Sequence, residues 1–161
     1  MKKIYELDIK NPILNLVSIF PLVLFVVYFV SYRLPVLWLL FFLMLRFPHE
    51  WLHQLGGKIV GVNSSIDFWK LNASCKPDRA ITAKENKMFA LFPYISFWII
   101  SIGMFLFSIA FSSYITHKIA VLIILFQTYA SMGDIFFFSL SFLYPKAIFV
   151  DEGTRIVVYE G

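Results

Sequence analysis

Four long apolar stretches divide the chain, and each is long enough to form a helix that crosses a membrane. They lie near 12–32, 34–56, 88–111 and 119–143. Crossing the hydrocarbon core of a bilayer takes about 20 helical residues at about 1.5 Å each. The pattern therefore predicts four transmembrane helices.

The polar segments after the second and fourth stretches carry short strand patterns. In the 57–87 connection, runs at 58–62 and 65–69 flank turn residues at 63–64, and the tail has similar runs at 147–150 and 155–159. Short β-favouring runs on either side of turn residues are typical of β-hairpins. The sequence therefore predicts an all-α membrane protein, folded as a single domain over 1–161, with short cytoplasmic β-hairpins in the 57–87 connection and the C-terminal tail.

Composition and charge set the expected environment and topology. Of the 161 residues, 60% are hydrophobic and only 15% are charged, which is too apolar for a soluble domain of this size. With four spans, both termini and the 57–87 connection lie on one side and hold eleven of the 14 basic residues. The positive-inside rule then predicts a multi-pass protein of the cell membrane with both termini cytoplasmic.

The partners expected from the sequence follow from the same distribution. The lipid bilayer is one of them, and a nucleic acid is not expected, because the basic residues form no run or aromatic-interleaved patch. Nothing in the sequence supports an oligomer. The single cysteine, Cys75, excludes an internal disulfide and a zinc site built from cysteines alone. A metal ion would have to be held by histidine and carboxylate side chains.

One motif in the second stretch carries the candidate chemistry, His49-Glu50-Trp51-Leu52-His53. On a helix, His49 and His53 lie about 40° apart and one turn along, so both imidazoles can bind one ion. Glu50 is then placed to take a proton from a water molecule that the ion holds, as in HExxH metalloproteases. Ionisable residues at membrane depth are costly and normally functional. The alternative is a polar helix end that merely matches the motif.

A third metal ligand is expected from Asp134, the other acidic residue within the apolar stretches. If the second stretch enters the membrane at residue 34 and the fourth at residue 119, His49 and Asp134 are each 15 residues along, at matching depth. The alternative for Asp134 is an ion pair with Arg46, which lies near the same level. Arg46 is also four residues before Glu50, so it has a second candidate partner. We interpret Arg46 as a charge balancer rather than a catalytic electrophile.

These residues resemble a known family, the small bacterial membrane proteins described as zincin peptidases, which are distantly similar to the site-2 intramembrane zinc proteases. The resemblance covers most of the chain and rests on the His49 to His53 motif, Ser74-Cys75-Lys76-Pro77, Ala90-Leu91-Phe92-Pro93, Gly133-Asp134-Ile135 and the tail from Pro145 to Tyr159. It implies an integral membrane metallopeptidase in which His49, His53 and Asp134 bind zinc and Glu50 is the catalytic base. The chain departs from site-2 proteases in having Gln127 and Gly133 where an Asn/Pro-rich approach to an Asp-Gly pair is usual.

The sequence thus predicts a membrane-embedded zinc metalloprotease that hydrolyses peptide bonds of a peptide or membrane-protein substrate. The substrate would be extended, because a helical backbone hides its carbonyl groups, and an edge of the 59–69 hairpin could hold it by β-augmentation. The main alternative is a catalytically inactive zinc-binding scaffold or accessory protein. An ion or metal carrier is poorly supported by four short spans with one polar cluster.

Overall fold

The computed structural model describes residues 2–8, 12–31, 40–41, 44–67, 74–151 and 155–161. Within these ranges there are five helices, namely α1 (Pro12–Ser31), α2 (Arg46–Ile59), α3 (Ala83–Ala110), α4 (Tyr114–Ala130) and α5 (Met132–Leu143). The same ranges contain six strands, namely β1 (Lys3–Asp8), β2 (Ser64–Asp67), β3 (Ser74–Pro77), β4 (Ile81–Thr82), β5 (Ile148–Asp151) and β6 (Arg155–Tyr159).

The prediction of an all-α fold is wrong, because the strands form two sheets and the architecture mixes helices with β structure. One sheet has four strands in the order β1-β6-β5-β4, and the other has β2 beside β3. The predicted tail strands are present as β5 and β6, paired antiparallel. Their pairing with β1 and β4 was not predicted, since β1 is only six residues long and lies far from them in the sequence, and β4 is only two residues long.

The prediction of four membrane-spanning helices is also wrong. Among the described residues, one helix, α3, is long and apolar enough to cross a membrane, and the bent pair α4 and α5 would make a second if it counts as one span. The predicted 119–143 helix breaks at Ser131, where the chain turns by 55°. The predicted multi-pass location in the cell membrane, with both termini cytoplasmic, is therefore wrong as well. That prediction assigned the basic residues to the two sides of a membrane by assuming four spans.

The predicted 34–56 span differs from α2 in both extent and character. Residues 32–39 and 42–43 lie outside the described residues, and α2 begins at Arg46 with Pro48 in its first turn, where proline is tolerated. The helix then carries three polar residues toward the protein interior, namely His49, Glu50 and His53. Helix α2 is therefore amphipathic, with a polar face toward the protein interior, and is not a continuous apolar span.

Gly61, and not the Gly56-Gly57 pair, ends helix α2. Gly61 has a φ of 74°, a left-handed conformation that favours glycine. The Val62 N–H donates to Gly57 O and the Gly61 N–H donates to Lys58 O, which is the Schellman arrangement. The helix therefore takes up residues 58 and 59 of the predicted 58–62 strand and the turn takes up the rest. The hairpin in this connection instead pairs β2 with β3.

Gly56 and Gly57 allow α2 to approach α3 closely. A Cβ added at Gly56 would lie 2.7 Å from Phe92 Cβ, and one at Gly57 would lie 3.2 Å from Phe89 Cδ2. Helix α3 also contacts α4 and α5, and it begins with a capping box between Thr82 and Glu85. Close packing on α3 therefore fixes the position of the motif helix.

Two hydrophobic clusters meet at the motif. The first contains Phe89 and residues of β3 to β6, and the second contains Phe97 and Phe126 of α3 and α4. The His53 ring stacks on Phe89 at 5.1 Å, and the His49 ring stacks on Phe97 at 6.2 Å. The two histidines therefore lie where the sheet-side cluster joins the helical one.

Candidate metal centre

Helix α2 turns its polar side chains inward and its apolar side chains outward. His49, Glu50 and His53 are only 3%, 7% and 5% exposed, whereas Phe47 and Trp51 are about half exposed. Burying ionisable groups costs free energy unless they are paired or bind a metal. The inward face of α2 therefore needs a compensating partner.

Asp134, in the first turn of α5, supplies that partner. Its Oδ2 lies 3.2 Å from His49 Nε2 and 3.3 Å from His53 Nε2, and the two Nε2 atoms are 3.2 Å apart. The break at Ser131 starts a new helix three residues before Asp134, so the carboxylate is carried on a separate element from α4. The three potential ligand atoms form a nearly equilateral triangle.

This triangle has the donor set of a metal site. Within the described part of the chain, Asp134 Oδ2 is buried and accepts no hydrogen bond of normal geometry. A buried carboxylate oxygen without such a bond, facing two imidazole nitrogens, is what an ion bound between them would satisfy. His49, His53 and Asp134 together could hold a metal ion.

The far nitrogen of each imidazole is also engaged. His53 Nδ1 lies 2.8 Å from the backbone oxygen of Phe89, which can only accept a hydrogen bond. His49 Nδ1 lies 3.3 Å from Oε1 of Gln127, the side chain of which is 1% exposed. Such outer contacts orient histidine ligands in metal sites. Both rings are consequently held with Nε2 toward Asp134.

The electrostatics of the cluster favour a proton on His53 in the metal-free protein. Burial is the largest single influence and lowers the pKa of His53, but Asp134, Glu50 and the Phe89 carbonyl together raise it by more. The net result is a pKa raised from 6.5 to about 9. A positive charge is therefore favoured at the centre of the triangle, in the place that a cation would take.

Glu50 is held beside the triangle by contacts that leave it out of the ligand set. Its Oε2 accepts a hydrogen bond of 2.9 Å from the Cys75 N–H of β3, and its Oε1 lies 3.8 Å from Arg46 Nε. Glu50 lines the same cavity of about 210 Å³ as the two histidines and Asp134. A cavity needs only about 10 to 15 Å³ of such space to hold one water molecule, so this one has room for several.

All five residues singled out in the sequence line this one cavity, namely Arg46, His49, Glu50, His53 and Asp134. Of the two partners considered for Arg46, the structure places Glu50 next to it. Asp134 faces the two imidazoles, as the metal-ligand interpretation requires. Asp134 thus lies where a third ligand beside His49 and His53 would have to lie.

Sequence reasoning missed several contacts around the centre. Gln127 was noted only as a departure from site-2 proteases, although an amide inside an apolar stretch was a signal that it contacts something polar. The Cys75 N–H and the Phe89 carbonyl are backbone groups, which leave no signal in residue type. Buried Asn86, which lines the cavity and donates to Ser141 Oγ at 2.7 Å, was also missed.

Comparison of the chain with protein-family models, with curated proteins and with solved structures finds no match.

Proposed function

We propose that this protein is a zinc metallopeptidase, with His49, His53 and Asp134 as zinc ligands and Glu50 as the general base. The observation that carries the proposal is the triangle of ligand atoms with edges of 3.2 to 3.3 Å. The centre of a regular tetrahedron with edges of this length lies about 2.0 Å from each corner, which matches zinc bonds to nitrogen and oxygen. The resemblance to zincin peptidases belongs to the same proposal.

The donor chemistry supports zinc over the hard cations. Calcium and magnesium prefer sites made of oxygen atoms, whereas two imidazoles and one carboxylate suit zinc. Three protein ligands would leave one position for a water molecule, which is the arrangement of catalytic rather than structural zinc. Bound there, the ion would polarise the scissile carbonyl and lower the pKa of a water molecule.

Glu50 follows His49 directly and is buried at the edge of the same cavity. Its carboxylate accepts the proton of the attacking water and returns it to the leaving amine. The Cys75 N–H and Arg46 hold the carboxylate in place, so it needs little reorganisation to act. Arg46 balances the negative charge of Glu50 and lies at the cavity wall, where it can also offset charge that develops on the substrate.

A peptide or membrane-protein substrate would reach this cavity in extended form. Cys75 and Pro77 of β3 line the cavity, and the Cys75 N–H points at Glu50 rather than at β2. The edge of β3 that faces the cavity is therefore the one that β2 does not cover. An extended peptide along this edge would pass next to Glu50.

The hydrogen bond from the Cys75 N–H to Glu50 favours a second candidate function, a zinc-binding scaffold. If Glu50 served only to tie β3 to α2 through the Cys75 N–H, its carboxylate would have a structural use without hydrolysis. The two functions differ in what happens when Glu50 loses its charge. A scaffold keeps its activity as a binding protein, whereas a peptidase loses the base.

The experiment compares zinc content and peptide cleavage in the purified wild type and four variants. We expect one zinc per chain in the wild type, its loss in His53→Ala and Asp134→Ala, and its retention in Glu50→Gln. Cleavage of a peptide library, read by mass spectrometry, should be lost in all three. Trp51→Phe is the matched control, because this motif residue is 55% exposed and should keep both zinc and cleavage.

Two outcomes would contradict the proposal. Zinc retained by Asp134→Ala would remove Asp134 from the ligand set. Cleavage by Glu50→Gln at the wild-type rate would leave the scaffold as the better explanation, even with zinc bound.

A further inference from the structure

Gln127 is a buried amide whose two ends contact different groups. Its Oε1 lies 3.3 Å from His49 Nδ1, and its Nε2 donates to the hydroxyl of Ser131 at the break between α4 and α5. The Gln127 side chain is 1% exposed and Ser131 is fully buried. A buried amide is costly unless both ends are hydrogen-bonded, so these contacts restrict its orientation.

The two histidines differ in what faces their Nδ1 atoms. His53 faces the carbonyl of Phe89, an obligate acceptor, so its Nδ1 must carry the proton. His49 instead faces an amide, which can present either an acceptor oxygen or a donor NH₂. Only the oxygen requires a proton on His49 Nδ1 and leaves the Nε2 lone pair free for a metal.

We propose that Gln127 is a positioning residue that selects the metal-binding form of His49. Its Oε1 accepts the Nδ1–H of His49, while the Ser131 hydroxyl accepts from its Nε2 and keeps the amide in this orientation. The arrangement parallels the carboxylates and carbonyls that orient histidine ligands of zinc. The inference rests on the metal-binding half of the proposed function and is independent of hydrolysis.

Three variants test this role by zinc affinity, measured through competition with a chromophoric chelator. Gln127→Met keeps the length of the side chain but cannot accept the proton, and we expect its affinity to fall about 10- to 100-fold. Gln127→Glu keeps an acceptor oxygen and should bind zinc at least as tightly as the wild type. Gln54→Met is the matched control, because Gln54 on α2 donates to the Ser64 carbonyl at 2.9 Å and should lose the same kind of hydrogen bond without changing the affinity.

A nitrogen-15 NMR spectrum of the histidine rings gives a readout that a general loss of packing would not produce. In the zinc-loaded wild type, both His49 and His53 should carry the proton on Nδ1. In Gln127→Met, only the His49 signals should move away from this pattern, since His53 keeps its bond to Phe89.

Zinc affinity of Gln127→Met within twofold of the wild type would overturn the inference, as would weaker binding by Gln127→Glu. If Gln127→Met does not fold, Gln127→Glu alone decides, because it retains the acceptor. A wild type that binds no zinc contradicts the proposed function itself. A wild type that binds zinc, with Gln127→Met equal to it, contradicts only the role of Gln127.

Discussion

Raising the pH from 7 to 9 should strengthen zinc binding through one residue, His53. In the metal-free protein the pKa of His53 is raised to about 9, so its ring carries a proton at pH 7. Zinc must displace this proton, because only the neutral imidazole is a ligand. Apparent affinity should therefore rise with pH and level off once His53 is neutral before zinc arrives.

The size of the effect follows from the pKa. At pH 7, removing the proton from a group with a pKa of about 9 costs two pH units, or about 2.7 kcal/mol. The apparent affinity at pH 7 should therefore be roughly 100-fold weaker than for the fully neutral ring, and roughly 50-fold weaker than at pH 9, where half of the rings are still protonated. The metal-free protein should show the opposite trend in stability, since a raised pKa contributes stability below pH 6.5 that is lost as the pH rises to about 9.

Chelator competition at intervals from pH 6.5 to 9.5 measures the affinity, and NMR of the metal-free protein follows the His53 ring directly. The NMR titration separates His53 from a metal-held water, which also titrates near neutral pH. An imidazole midpoint at or below 6.5, or an affinity that stays constant from pH 7 to 9, would refute the reasoning. Either result would mean that Asp134 and its neighbours do not raise the pKa of His53 by more than burial lowers it.

Two further predictions concern packing and reactivity. Gly56→Ala should lower the free energy of unfolding by about 1 to 3 kcal/mol through overpacking, because its Cβ would lie 2.7 Å from Phe92 Cβ. Thermal unfolding measures this against Gly103→Ala, whose added Cβ meets no atom of the described residues within 4 Å and should be neutral or stabilising; equal losses in both variants would contradict the packing argument. Burial raises the pKa of Cys75 to about 11, two units above its reference, so iodoacetamide at pH 8 should modify it about 100-fold more slowly than in the urea-unfolded chain. Equal rates in the two states would show that Cys75 is not buried and that its pKa is not raised.

The motif on α2 could be predicted from the sequence because its geometry is local. Residues four apart on any helix share a face, so His49 and His53 converge whether the helix crosses a membrane or packs on α3. The tail strands could also be predicted, since both lie within the 13 residues 147–159 and pair with each other as a hairpin. These features depend on neighbours in the sequence.

The features that could not be predicted depend on contacts between distant residues. Strand β1 gains its place by pairing with β6 at the other end of the chain, and nothing in six residues indicates that partner. The predicted stretch near 34–56 stops short of the end of α2 at Ile59, where Gly56 and Gly57 lie inside the helix and make room for Phe92 and Phe89 of α3. Tertiary packing decided both cases.

Asp134 was assigned as a ligand by assuming one straight helix over 119–143, yet the two contacts to His49 come from either side of a break. Gln127 precedes Ser131 and faces His49 Nδ1, whereas Asp134 follows it and faces Nε2. Seven residues along a straight helix advance about 10.5 Å, farther than the two edges of one imidazole are apart. A bend of 55° between the two residues changes the direction in which the second one is presented. Gln127 and Asp134, the polar residues on the two sides of the break, therefore both contact His49.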